Sequence, residues 1–248
     1  MTPKDEIVPL LKKLRLSGFL ATLDLRVKEA VDQDLSHGEF LYRLLSDEIG
    51  RRDSKQLDVR LRRASFESHK RLEDFEWGFN PTIPRARLID LATCAFVERH
   101  ENVLLVGPTG VGKSHVAQAL GERACRAGYS VLYAPAHRML ATLRASRADQ
   151  SYEKKLLRFT TPDLLLIDDI GLRPLDGEEP LDLYEVIRGR YERGAMVLTS
   201  NRAVEEWYPL FRDELMASAA MDRLLHRAHV VEMDGHSFRN PPSARKAS

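Results

Sequence analysis

The sequence lacks any long apolar run. In 248 residues the longest, such as 103–106 and 164–167, span four or five positions. A bilayer-crossing helix needs about 18 or more, so no transmembrane helix is expected. Asp5, Glu6, Lys12 and Lys13 interrupt the apolar N-terminal stretch, which argues against a secretory signal. Cysteine is scarce as well: Cys94 and Cys125 are the two in the chain. Two isolated cysteines make neither a zinc cage nor a disulfide framework, and they suit buried thiols in a reducing, cytoplasmic setting. No internal repeat and no low-complexity tract breaks the chain. Net charge is nearly absent too, at +1.

Hydrophobic residues make up 43% and charged residues 30%, enough apolar material to bury a core and too mixed for wholesale disorder. The length fits one α/β domain with a smaller appendage. The balanced net charge hides an uneven distribution. Residues 1–50 carry 7 basic and 9 acidic side chains, whereas 51–71 carry 8 basic and 3 acidic ones. Arg239, Arg245 and Lys246 make the C-terminal end basic as well.

Hydrophobic periodicity predicts helix through most of 5–66, with Leu10, Leu14, Phe19, Leu20, Leu23 and Val27 recurring on one face. Ser36, followed by Glu39, has the capping-box pattern for a helix that carries Phe40, Leu41, Leu44, Leu45 and Ile49. Residues 1–68 therefore read as a small all-α module for DNA or a partner. Residues 69–100 read as a linker rich in aromatics and proline (Phe75, Trp77, Phe79, Pro81, Pro84), followed by a helix over 87–100. From 101 to 240, short apolar strands at 103–106, 130–134, 164–168, 195–199 and 230–233 alternate with helices. That pattern implies a parallel sheet covered by helices on both faces. Residues 241–248 are expected to be a disordered basic tail.

Gly107, Pro108, Thr109, Gly110, Val111, Gly112, Lys113 and Ser114 match G-x-x-x-x-G-K-[ST], after an apolar strand and before a helix. Phosphates are wrapped by successive backbone N–H groups, and glycine lets the main chain curl closely enough to do so. The helix that opens near Ser114 aims its free N–H groups and dipole at the anion, and His115 extends the candidate nucleotide contacts. Lys113 is placed to reach the β- and γ-phosphates, and the Ser114 hydroxyl to ligate Mg2+. A second apolar strand ends in Asp168 and Asp169. Asp168 fits the metal-holding role and Asp169 the polarisation of an attacking water. At a third strand end, in Leu198-Thr199-Ser200-Asn201, an Asn or Thr could orient that water. Helix N-capping by Ser200 or Asn201 is the plainer alternative.

These segments, with a late Met221-Asp222-Arg223-Leu224-Leu225-His226-Arg227, resemble the IstB/DnaC group of AAA+ ATPases. The likeness is greatest to IstB, the ATP-binding helpers of insertion-sequence transposases, and runs from about residue 8 to 240. It implies a P-loop NTPase fold of the AAA+ type, with ATP and Mg2+ bound by Lys113, Ser114, Asp168 and Asp169. It also implies Asn201 as sensor at the γ-phosphate and Arg223 as an arginine finger reaching the ATP of a neighbouring subunit. Arg239 would be a second nucleotide-sensing arginine. The implied partners are duplex DNA, a cognate transposase and further copies of the chain. Two departures stand out. Asp169 occupies a position where many AAA+ proteins carry Glu, which bears on hydrolysis more than on binding. The chain also ends soon after residue 240, too early for a helical lid, so the adenine pocket is expected to use the linker around Phe79 to Arg85.

The basic stretch offers Arg51, Arg52, Lys55, Arg60, Arg62 and Arg63 along helical turns, suited to phosphate contacts without base reading. A solvated basic helix face is the alternative. Three functions stay open at this level: a transposition helper on duplex DNA, a DnaC-like loader of a replicative helicase, and an ATP-gated scaffold with little turnover.

Overall fold

The computed structural model describes residues 3–240; the tail expected at 241–248 lies outside them. The chain divides into two compact units, residues 1–59 and 60–248.

The first unit is helical: α1 (Pro3–Lys13), α2 (Ser17–Asp32) and most of α3 (His37–Ala64), whose last turn begins the second unit. The capping box forms, with Ser36 N donating to Glu39 Oε2 at 3.0 Å and Glu39 N to Ser36 Oγ at 3.2 Å. α3 runs through Gly50 without a break. Leu11, Phe19 and Leu44 form the buried centre of this unit. Gly18 lies against the backbone of Glu48, and its N–H donates to Glu48 Oε2 at 2.5 Å. Arg26 grips both carboxylate oxygens of Asp47 at 2.7 and 2.8 Å.

After the last turn of α3, the second unit continues in loops through 65–84. The helix expected over 87–100 is instead two short pieces, α4 (Arg85–Leu91) and α5 (Ala95–Glu98). The break is at Cys94, which adopts the left-handed conformation, φ +64°; a non-glycine residue there cannot continue a helix. A parallel sheet follows: β1 (Val103–Val106), β2 (Val131–Pro135), β3 (Leu164–Ile170), β4 (Ala195–Ser200) and β5 (His229–Glu232). It is ordered β2-β3-β4-β1-β5. Between the strands lie α6 (Lys113–Arg126), α7 (Ala136–Ala148), α8 (Tyr152–Thr160), α9 (Glu179–Arg190) and α10 (Glu214–Leu225). A 3-10 segment, Val204–Leu210, was not anticipated; it buries Val204, Trp207 and Leu210 and carries Pro209, which excludes a regular helix.

Strand side chains alternate between faces. Leu104, Leu132, Leu165, Ile167, Met196 and Leu198 pack with side chains of α7, α9 and α10 in one core. The opposite set, including Leu105, Tyr133, Leu166 and Val197, is equally buried. There α6 comes so close that a Cβ on Gly121 would lie 2.6 Å from Leu166. Helices therefore cover both faces, as the continuous apolar strands require.

Candidate nucleotide site

The site lies where the carboxyl ends of β1, β3 and β4 meet the start of α6. The path between β1 and α6 takes positive φ at Gly107, Gly110 and Gly112. Gly107 has φ +141° where a Cβ would lie 2.0 Å from the Met233 carbonyl oxygen, and Gly112 has φ +105° where a Cβ would lie 2.6 Å from the Phe75 ring. A side chain at either position would meet both backbone strain and collision. Val111 is fully buried and anchors the loop.

Lys113 is buried, and its Nζ donates to Gly107 O, Pro108 O and Asn201 Oδ1, each at 2.7 Å. Burial pushes its ammonium down to about 8, opposed by the charges of Asp169 and Asp168. Asp168 gathers three hydroxyls. Oδ1 accepts from Ser114 Oγ at 2.9 Å and from Thr199 Oγ1, and Oδ2 accepts from Tyr133 Oη at 2.7 Å. The sheet explains this convergence. Tyr133 pairs with Leu166 across β2 and β3, Thr199 pairs with Leu105 across β4 and β1, and Asp168 follows Leu166 by two. All three therefore project to the face that α6 covers, toward the α6 N-terminus where Ser114 sits.

Asp169 ends on the solvent side with φ +59°, its N–H donating to Thr199 Oγ1 at 2.9 Å. Its carboxyl is raised above the ordinary range, first by burial in the cavity wall and then by the Asp168 charge. The Ser114–Asp168 pair offers hard oxygen donors. Among the described residues no group of three or more His, Cys, Asp or Glu converges as a metal cage. One carboxylate and one hydroxyl are what a Mg2+ shared with phosphates and water draws from a protein, so the residues fit that ion.

A cavity of about 640 Å³ opens over these groups, lined by Thr109, Gly110, Lys113, Ser114, His115, Asp168, Asp169, Asn201 and Arg239. His115 is turned aside: its Nε2 lies 2.8 Å from Arg71 O, and its ring meets Phe75 edge-on at 5.3 Å. The aromatic wall draws on Phe75, which precedes the loop in sequence, and on Phe238, near the other end of the ATP-binding unit. Phe238 stacks 4.3 Å from Phe79 and 5.7 Å from Phe75. Its segment is strapped across the loop: Phe238 N donates to Gly110 O at 2.9 Å, and buried Asn80 exchanges two hydrogen bonds with the His236 backbone at 2.7 and 2.9 Å. Thr82 Oγ1 adds a third tie, to Asp234 O at 2.9 Å.

Arg223 is not part of this cavity. Its Nη1 donates to Ala219 O at 2.7 Å, its guanidinium sits 5.8 Å from the rings of both Tyr184 and Tyr191, and it lines a separate basic cavity with Arg99, Arg190 and Arg227. The basic stretch lies on α3. Arg51 donates to the Ser17 hydroxyl, Arg52 pairs with Glu48 at 2.7 Å, and Lys55, Arg62 and Arg63 are exposed. Arg60 turns inward, its Nε donating to Cys125 O at 2.8 Å. Cys94 and Cys125 are buried free thiols. No helix among the described residues is long and apolar enough to cross a membrane.

Sequence reasoning overlooked Tyr133, Phe238 and Asn80, and gave Thr199 less weight than Asn201. One signal was available: a tyrosine inside an otherwise apolar strand must find a partner for its hydroxyl.

A glycine loop between strand and helix, a lysine folded into it, and a carboxylate on a strand two places away in a parallel sheet define a P-loop nucleotide-binding protein of the AAA+ type. The chain belongs to the IstB-like ATP binding protein family, whose model matches residues 9–246. A Mycobacterium tuberculosis relative, named as an ATP-binding protein in an insertion sequence, is 44% identical over 92% of each chain. The insertion sequence IS21 ATP-binding protein of Pseudomonas aeruginosa is 36% identical over 94% of this chain and 88% of its own. Among solved structures, DnaI superposes with a TM-score of 0.58 at 20% identity, covering 67% of this chain and 92% of its own. DnaA from Aquifex aeolicus, bound to AMPPCP, superposes at 0.57 with 19% identity over 68% and 51%. At that identity the likeness establishes the fold.

Proposed function

We propose that this chain is an ATP-hydrolysing, DNA-binding protein that self-assembles on duplex DNA in the cytoplasm and assists a transposase in choosing its target. The observation that carries the hydrolytic reading is the convergence of Lys113, Ser114, Asp168, Asp169 and Asn201 on one cavity. Lys113 supplies the charge for the triphosphate, and the α6 N–H groups add theirs. Ser114 and Asp168 would hold Mg2+, which offsets phosphate charge when bound. Asp169, its carboxyl raised by its surroundings, faces the cavity as acceptor for a water proton. Asn201, held by Lys113, orients the γ-phosphate side, and Arg239 stands at the mouth.

The remoteness of Arg223 from its own chain's cavity supports its action on the nucleotide of a second copy. Turnover and assembly would then be linked, because the transition-state charge meets its arginine only across an interface. The relatives' naming after insertion sequences supports the transposition role. On α3, Arg51, Arg52, Lys55, Arg62 and Arg63 would contact DNA phosphates, while Arg60 is spent on the Cys125 carbonyl. Such binding is independent of sequence and weakens steeply with salt.

Phosphate release is measured with and without duplex DNA, at two ionic strengths, for the parent and Asp169→Ala. DNA-stimulated release that the substitution abolishes supports the proposal. Turnover that survives Asp169→Ala refutes the hydrolytic assignment, and stimulation insensitive to salt refutes the phosphate-contact assignment.

A further inference from the structure

Each of the three hydroxyls on Asp168 comes from a different part of the fold. Ser114 belongs to the loop-to-helix junction, whereas Thr199 and Tyr133 stand on β4 and β2, the strands flanking β3 on either side. The two strand donors are fixed. Thr199 Oγ1 accepts the Asp169 N–H, which leaves its single proton for Asp168. Tyr133 is 4% exposed, its ring lies 6.5 Å from Phe66, and Asp168 Oδ2 is the acceptor of its hydroxyl. A carboxylate held at one oxygen can still turn about its last torsion. Held at Oδ1 by β4 and at Oδ2 by β2, it cannot.

We propose that Tyr133 is a positioning residue for the divalent-cation site: its hydroxyl fixes the Asp168 carboxylate so that the Oδ1 edge shared with Ser114 faces the cation. The inference rests on the assignment of Asp168 to that cation. A phenylalanine would fill the same space, pack equally well and avoid burying a hydroxyl, so packing alone does not account for the residue. A lysine or arginine would also hold the carboxylate, but its charge would compete with the cation. A phenol donates a strong hydrogen bond to the carboxylate and brings no charge.

The test measures the affinity of a fluorescent ADP across a Mg2+ titration and in EDTA, for the parent, Tyr133→Phe, Asp168→Asn and the double variant. Partners that orient a metal ligand typically contribute about 10- to 100-fold in metal affinity. Tyr133→Phe should therefore raise the Mg2+ concentration at half-effect by about tenfold, with affinity in EDTA unchanged. It should add nothing in the Asp168→Asn background. Tyr133→Met, also without a hydroxyl, should reproduce the shift, which guards against a folding defect peculiar to one variant. An unchanged Mg2+ midpoint in Tyr133→Phe, while Asp168→Asn shifts it, overturns the inference alone. Loss of affinity in EDTA equal to the loss in Mg2+ overturns it too, since the hydroxyl would then serve the fold. If Asp168→Asn leaves the Mg2+ midpoint in place, the underlying assignment of Asp168 fails and the inference falls with it.

Discussion

Asn80→Ala isolates the strap that carries Phe238 and Arg239 to the mouth of the nucleotide cavity. Asn80 is 3% exposed, and it pairs in both directions with the backbone of one residue, its Oδ1 accepting from His236 N and its Nδ2 donating to His236 O. A neutral hydrogen bond contributes about 0.5–1.5 kcal/mol net, so losing both weakens docking of the strap by about 2 kcal/mol. That shifts its local opening about 30-fold. The change should not spread to the sheet, because Thr82 and the Phe238–Gly110 bond tie the strap separately. Hydrogen exchange followed by mass spectrometry reads this directly. The amides of His236 and Phe238 should exchange about 30-fold faster, while those of β1 and β3 keep their rates. Nucleotide affinity should drop in parallel, since Phe238 and Arg239 leave the cavity together. Unchanged exchange at residues 236–238 would refute the clamp; faster exchange with undiminished affinity would refute a part for the strap in binding.

Three further outcomes are expected. Thr199→Val leaves the Asp169 N–H without its acceptor and strips one donor from Asp168; it should cost about 1–3 kcal/mol in chemical denaturation, with Thr199→Ser close to the parent, and equal stability of the valine variant would contradict the described geometry. Arg223→Ala should bind ADP as tightly as the parent yet lower DNA-stimulated turnover by about 10³-fold or more; a comparable loss of binding would place that arginine's effect in its own chain. Arg26 holds the Asp47 carboxyl down to about 2, against an ordinary 3.8. The ionised form is the one favoured by folding, so its contribution is complete above about pH 4 and lost as pH falls toward 2; the acid transition of the helical signal should therefore move to higher pH in Arg26→Ala, and coincident transitions would rule the pair out as a determinant.

Much of this was legible in the residues. The strands were, because four-residue apolar runs between amphipathic helices admit few arrangements, and so was the loop, because glycines at 107 and 112 with Lys113 and Ser114 answer one steric and electrostatic need. The break at Cys94 was not: a left-handed residue between two apolar helical turns leaves no compositional mark. Tyr133 and Thr199 escaped for a different reason. Each is ordinary in its own strand, and their meeting at Asp168 depends on strand order, which local periodicity does not encode. Arg60 and Arg223 show the same limit. Nothing in the neighbouring sequence tells where either guanidinium turns, yet one caps a carbonyl and the other lies 5.8 Å from two tyrosine rings.

The order β2-β3-β4-β1-β5 has a consequence for synthesis. The strand that leads into the glycine loop finds its two neighbours in β4 and β5, made long after it: Val103 lies beside Val197 on one side and His229 on the other. A growing chain thus carries the loop long before anything can shape it, and contacts so distant in sequence form slowly. Nascent protein should be unable to capture ATP until residues near 232 have emerged from the ribosome, so that nucleotide binding reports completion of the sheet.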